Sequence, residues 1–254
     1  MYTKKTYRFR DSREIEISHF GRYGAKGERR LPKKKATPEQ IKKQNQKNRE
    51  TRMRRLIKAN FEDGDFWMTL KYRAGTRKPI EEVKKDLKKF VRAVRSVYAR
   101  QKLEMKYIYR IEIGKEGGIH VHMVLNRVTD ADRIISEMWR QGVVNFTRIR
   151  GDVKRLAEYI VKPPPEEMAG QLSLFDESER KDIVKYSTSR NLIRPAPDRR
   201  EYKDRTVRRI LENGPAPTKG FYIDADSVEI GINPVTGYPY VRYTELKLGR
   251  CADG

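Results

Sequence analysis

A chain of 254 residues is long enough to bury a full core in one domain, or in one domain with substantial appendages. Its 58 Lys and Arg against 35 Asp and Glu give a formal net charge of +23 and a pI near 10.0; such a chain seeks a polyanion, first of all nucleic acid, because phosphates reward clustered cations through counterion release. A mean hydropathy of −0.89, no long apolar segment and no signal-peptide pattern make membrane binding the lesser alternative, and the single Cys251 excludes an intramolecular disulfide, so the cytoplasm is the default location.

From the start, Tyr2 to Arg10 and Arg13 to Ser18 alternate enough for two short strands joined near Asp11-Ser12, and a glycine-rich basic loop follows to Leu31. Thr37-Pro38-Glu39-Gln40 predicts a helix start, with Thr37 as N-cap and Pro38 at the first helical position, and a basic helix to about Ala59. Residues 1–60 hold 20 Lys and Arg against 6 Asp and Glu. A solvated helix explains any one of these charges; their density over sixty residues favours a DNA-contacting arm.

Residues 61–162 are better patterned. Phe66 to Tyr72 is predicted as a strand, and Pro79 to about Arg100, with Val83, Leu87, Phe90, Val91, Val94 and Val97 at helical spacing, as an amphipathic helix. Lys106 to Ile113 is β-branched and aromatic, and Gly114-Lys115-Glu116-Gly117-Gly118 is a hairpin-type link into a second strand, Ile119 to Leu125. Asp130 to Arg140 reads as a second helix and Val143 to Arg150 as a fourth strand. The order βαββαβ predicts an α+β fold, a ferredoxin-like antiparallel sheet with helices on one face and all or part of the other face open to substrate.

The strand after the hairpin link carries two of the three histidines. With period two, Ile119, Val121 and Met123 share one face, and His120 and His122 share the other. An isolated His-x-His is as readily a pair of ordinary strand residues as a metal chelate. If Ile113 pairs with Ile119, however, Glu112 stands opposite His120 on the same face; a one-residue slip would turn it away. Glu112, His120 and His122 with open coordination positions suit Mg²⁺ or Mn²⁺ acting on a phosphoryl oxygen better than a closed structural zinc site.

Asp152 is predicted to cap a helix from Val153 to Lys162 that Pro163-Pro164-Pro165 stops. Tyr159 and Lys162 lie three apart on one helical face, so both can approach one group. Singly, a helical tyrosine packs and a last-turn lysine complements the helix dipole; together, beside two histidines, they read as a nucleophile and a cation that steadies a phosphate.

Phe66-Trp67-Met68-Thr69-Leu70, His120-Val121-His122 and Tyr159-Ile160-Val161-Lys162, in that order and spacing, resemble the motifs of the HUH endonucleases, and among them the single-tyrosine rolling-circle replication initiators of bacterial plasmids and phages. The resemblance spans residues 61–162 by motif; Lys185 to Asn191 adds a softer likeness to initiator-like proteins of Gram-positive bacteria and their mobile elements. It implies that the histidines and an acidic residue, Glu112 by position, bind the metal, and that Tyr159 attacks a DNA phosphate. It further implies nicking and rejoining of single-stranded or hairpin origin DNA through a 5′-phosphotyrosine intermediate. One tyrosine stands at the motif, so initiators with a tyrosine pair are not matched. No Gly-x-x-x-x-Gly-Lys-[Ser/Thr] loop is present, so unwinding falls to a host helicase and extension to a host polymerase.

Pro163 to Glu179 is proline-rich and acidic, a loop or lid; Ile183 to Asn191 is a strand or a cover for the core, Arg199 to Asn213 a basic helix, and Phe221 to Leu248 a set of short strands. The chain thus divides into an arm (1–60), a catalytic core (61–162) and an extension expected to wrap the core (163–254). Cupins and histidine-triad hydrolases also show His-x-His, but both need a further histidine, and His19 is the only one left. A relaxase or a single-strand transposase would share the chemistry. A non-catalytic DNA-binding protein, with Tyr159, His120 and His122 as scaffold, is the competitor from another class. Tyr186 is the alternative nucleophile, disfavoured because it sits in a strand away from Lys162.

Overall fold

Alternating strands separated by helical periods produce, in the computed structural model, the order β1 (Tyr2–Arg8), β2 (Ser12–His19), α1 (Pro38–Asn60), β3 (Phe66–Tyr72), α2 (Ile80–Arg100), β4 (Tyr107–Ile113), β5 (Ile119–Leu125), α3 (Ala131–Met138), β6 (Gly142–Arg148), α4 (Lys154–Val161), β7 (Tyr186–Thr188), β8 (Asp198–Tyr202), α5 (Asp204–Asn213), β9 (Phe221–Ile232) and β10 (Pro239–Lys247). The structure describes residues 1–20, 35–76, 78–114, 118–151, 153–163, 177, 183 and 185–249. The fold is α+β, with two antiparallel five-stranded sheets and five helices among the described residues. The basic loop to Leu31, the middle of the glycine-rich link, the Asp152 cap, most of the acidic proline segment and Cys251 lie outside those residues.

Two compact units form, Met1–Gln44 with Arg194–Gly254, and Asn45–Ile193. This division differs from the three segments drawn from composition: β1 pairs with β8, and β2 with β10, so the ends of the chain share one sheet of order β8-β1-β2-β10-β9. Its apolar face, Tyr2, Ile15, Ile17, Val241 and Tyr243, packs against Val207, Ile210 and Leu211 of α5. The segment expected as several short strands is one hairpin of two long ones, because Asn233 to Gly237 makes a tight turn with Gly237 at φ 75°. The start of α1 is closed by a reciprocal pair: the Gln40 amide N–H donates to Thr37 Oγ1, and the Thr37 amide N–H donates to Gln40 Oε1.

In the unit Asn45–Ile193, β3-α2-β4-β5-α3-β6 realises the βαββαβ order, with strands in the order β6-β3-β5-β4 and β7 added at the β4 edge. Phe66, Met68 and Leu70 of β3, with Val121 and Met123 of β5, face α2 and α3 in the larger core. The opposite face is not left wholly open. Ile108, Val124 and the rim of Trp67 are covered by α4 and by Met53, Leu56 and Ile57 in the last turns of α1. What stays accessible on that face is its polar part.

Candidate active site

The strand register arranges the polar face in rows. One row runs Val143, Lys71, His120, Glu112; the next runs Asn145, Thr69, His122, Arg110; the third runs Thr147, Trp67, Val124, Ile108. Ile113 pairs with Ile119, so Glu112 stands opposite His120, as the hairpin length suggests. Helix α4 crosses this face and brings Tyr159 down onto it.

Tyr159 Oη donates to Glu112 Oε2 at 2.5 Å and lies 3.0 Å from His122 Nε2. His122 Nε2 is also 2.9 Å from Glu112 Oε2, and Lys162 Nζ is 2.7 Å from Glu112 Oε1. The phenol has one proton and gives it to the carboxylate. His122 therefore carries a proton on Nε2, facing two oxygens, and its Nδ1 accepts from the Thr69 hydroxyl at 3.1 Å. Lys162 Nζ lies 3.9 Å from the centroid of the Tyr159 ring, while Trp67 stacks on His122 at 5.3 Å and meets Tyr159 edge-on at 5.5 Å.

These contacts set the charge states. Burial would raise the Glu112 carboxyl, but hydrogen bonds from His122, Lys162 and Tyr159 and the charge of Lys162 outweigh it and hold it well below the usual carboxylate range. Burial, then the hydrogen bond to Glu112 and its negative charge, push the Tyr159 phenol above its ordinary value, against a smaller pull from Arg110. The resting phenol is protonated.

His120 shares the face but stands outside this hydrogen-bonded group. Its ring packs over Gly114, where an added Cβ would come within 2.9 Å of His120 Cε1. Burial lowers its pKa first, helped by the charges of Lys71 and His122 and opposed by Glu112, which favours the neutral imidazole a metal needs. Among the described residues, no three His, Cys, Asp or Glu side chains are gathered closely enough to hold a metal ion. The donor types nonetheless fit a hard or borderline divalent cation, with Glu112 and His122 already converged and His120 beside them in register.

Arg110 is the participant that sequence reasoning missed. It is only 3% exposed, and its Nη1 donates to the carbonyls of Lys162 at 2.6 Å, Ile160 at 3.1 Å and Tyr159 at 3.4 Å. It thereby caps the C-terminus of α4, where carbonyls lack helical partners. Pro163 contributes by forcing Lys162 into an extended conformation, φ −56°, ψ 139°, which ends the helix. The signal lay in Tyr107 to Ile113, where a lone arginine stands two positions from Glu112 and so on the same face. Thr69 and Trp67 lie within a motif already singled out, but their roles toward His122 emerge only from the β3–β5 pairing. Tyr186 belongs to β7, opposite Arg110 in register and 42% exposed, with no bond to the group around Glu112.

The model of a family described as replication-associated protein, of the ORF2 type, matches residues 65–164, the span from β3 to just beyond α4 that contains every residue of this site. No curated protein and no solved structure matches the chain. No described helix is long and apolar enough to cross a membrane. Over the segment that builds the site, the chain is similar to replication-associated proteins, which supports a role in DNA replication and a DNA partner.

Proposed function

We propose that this protein is a single-tyrosine HUH-type initiator that nicks and rejoins single-stranded or hairpin origin DNA to start rolling-circle replication. The observation that carries the reading is the seat of the Tyr159 hydroxyl, 2.5 Å from Glu112 and 3.0 Å from His122 on a ferredoxin-like sheet. The match to replication-associated proteins over the same residues supports it. Tyr159 Oη attacks phosphorus, the P–O3′ bond breaks, and the 3′ oxygen leaves and takes a proton. The 5′ phosphate is then joined to Tyr159, and the free 3′ hydroxyl primes a polymerase. Attack by tyrosine instead of water conserves the phosphodiester bond, so the reverse attack by a 3′ hydroxyl rejoins the strand.

Glu112 Oε2 holds the phenolic proton before attack, and Lys162 Nζ, on the same carboxylate and over the ring, offers positive charge to the phosphate oxygens once DNA enters. Glu112, His120 and His122 would hold Mg²⁺ or Mn²⁺, which supplies Lewis-acid polarisation of a phosphoryl oxygen. A cation at His122 Nε2 requires the ring proton on Nδ1, and the Thr69 hydroxyl, donor or acceptor, serves either tautomer.

The test uses 5′- and 3′-labelled single strands carrying the origin. Wild type is expected to leave a denaturation-resistant adduct on the downstream fragment in Mn²⁺ and none in chelator, with mass spectrometry placing the nucleotide on the Tyr159 peptide. Tyr159→Phe, which lacks only the attacking oxygen, binds DNA and gives no adduct. Adduct on Tyr186, or cleavage persisting in Tyr159→Phe, refutes the nucleophile; no adduct from wild type in any divalent metal favours a non-catalytic DNA-binding protein.

A further inference from the structure

Beside Tyr159, on the side of α4 that faces α1, lies a cavity of about 410 Å³, lined among others by Gln46, Glu50, Arg155, Glu158, Tyr159 and Lys162. The volume is of the order that one nucleotide needs. Its chemistry is mixed in a way a phosphate channel would not be. Arg155 and Lys162, one turn before and nearly one turn after Tyr159 on α4, suit the backbone, but two carboxylates stand among them.

The orientation of Gln46 narrows the ligand. Its Nε2 donates to Glu50 Oε1 at 2.9 Å and to the Val161 carbonyl at 3.1 Å. Both partners are acceptors, so the amide cannot be flipped, and both its protons are used. Gln46 therefore has only its Oε1 lone pairs left to offer, and Glu50 and Glu158 are acceptors when ionised. A cavity furnished with acceptors next to two cations matches a nucleotide whose base presents amino protons and whose phosphate is neutralised alongside. Carboxylate and amide oxygens accept from the exocyclic amine of cytosine, adenine or guanine, whereas thymine presents carbonyl oxygens there.

We propose that this cavity is a base-selecting pocket for the nucleotide flanking the phosphate at Tyr159, and that Gln46 and Glu50 make it prefer amine-bearing bases over thymine. The inference rests on the nicking reading for its biological meaning, but its test does not depend on cleavage. The intact protein is titrated into fluorescein-labelled oligo(dC) and oligo(dT) of equal length at one fixed salt concentration, with anisotropy as readout. Wild type is expected to bind oligo(dC) about tenfold more tightly, the lower end of what one good base-edge pair discriminates.

Glu50→Ala and Gln46→Ala are expected to bring the ratio towards one. Glu50→Ala does so mainly by strengthening oligo(dT), since a carboxylate near phosphate is removed. A purely electrostatic role for Glu50 would raise both affinities and leave the ratio alone, which overturns the proposal, as does a wild-type ratio near one. Absence of a Tyr159 adduct with the ratio intact sinks the nicking reading and keeps the pocket; adduct formation with no base preference does the reverse.

Discussion

Replacing Arg110 by methionine, close in length and volume, isolates the work of its guanidinium. Nη1 has two protons, and its two short bonds, to the carbonyls of Lys162 and Ile160, are 2.6 and 3.1 Å long. Charge-assisted bonds contribute about 1.5–3 kcal/mol each, so their loss costs roughly 3–6 kcal/mol, and carbonyls at the end of α4 are left unpaired. Relief from burying a guanidinium offsets part of this; burial already pulls the Arg110 pKa down, against the charges of Glu112 and Tyr159. A net destabilisation of about 2–4 kcal/mol follows, or a fall in Tm of roughly 5–15 °C for a unit of this size.

The last turn of α4 carries Tyr159, so adduct formation should fall further than stability does. A displacement near 1 Å of an attacking atom costs about 10²-fold in rate. The assay pairs a thermal melt with single-turnover adduct formation well below the melt, and with anisotropy to show that DNA binding persists. Arg110→Lys, which restores a cation near the helix end, should recover part of the rate. A methionine variant with wild-type Tm and wild-type adduct rate would refute the reasoning.

Thr69→Val removes the hydroxyl from His122 Nδ1 at nearly constant shape, and should cost roughly 10- to 100-fold in the Mn²⁺ dependence of adduct formation, while Thr69→Ser retains most of it. Gly114→Ala sets a Cβ 2.9 Å from His120 Cε1, so the imidazole must move; about tenfold more Mn²⁺ should be needed, with the melt little changed. Gly142→Ala puts a Cβ 2.3 Å from the Lys71 carbonyl oxygen, a backbone atom that cannot swing aside, and should destabilise by about 1–3 kcal/mol by chemical denaturation.

The βαββαβ order is legible because each element of that span shows its own period, and Glu112 is legible because a short hairpin link fixes register and register fixes the face. Arg110 is a different case: that it sits on the site face follows from period two, but that its destination is the end of a helix about fifty residues onward is tertiary. The cover on the second face was hidden by charge. Met53, Leu56 and Ile57 are buried, yet Arg52, Arg54, Arg55 and Lys58 surround them, so the run reads as a solvated helix. The pairing of β1 with β8 is likewise invisible to a local reading, since alternation predicts a strand without naming the partner nearly two hundred residues away.

Lys162 is gripped at both ends by the same strand: its carbonyl accepts from Arg110, and its ammonium binds Glu112 two positions further along β4. Helix α4 is thus indexed to β4 through one residue, much as a key is held by two wards. A chimera that exchanged α4 alone would keep the tyrosine but lose its alignment, and an insertion between Tyr159 and Lys162 would uncouple it as surely as deleting the hydroxyl. Grafting this site onto another sheet therefore requires moving the strand and the helix together, with the two-residue spacing of Arg110 and Glu112 and the three-residue spacing of Tyr159 and Lys162 carried across as one unit.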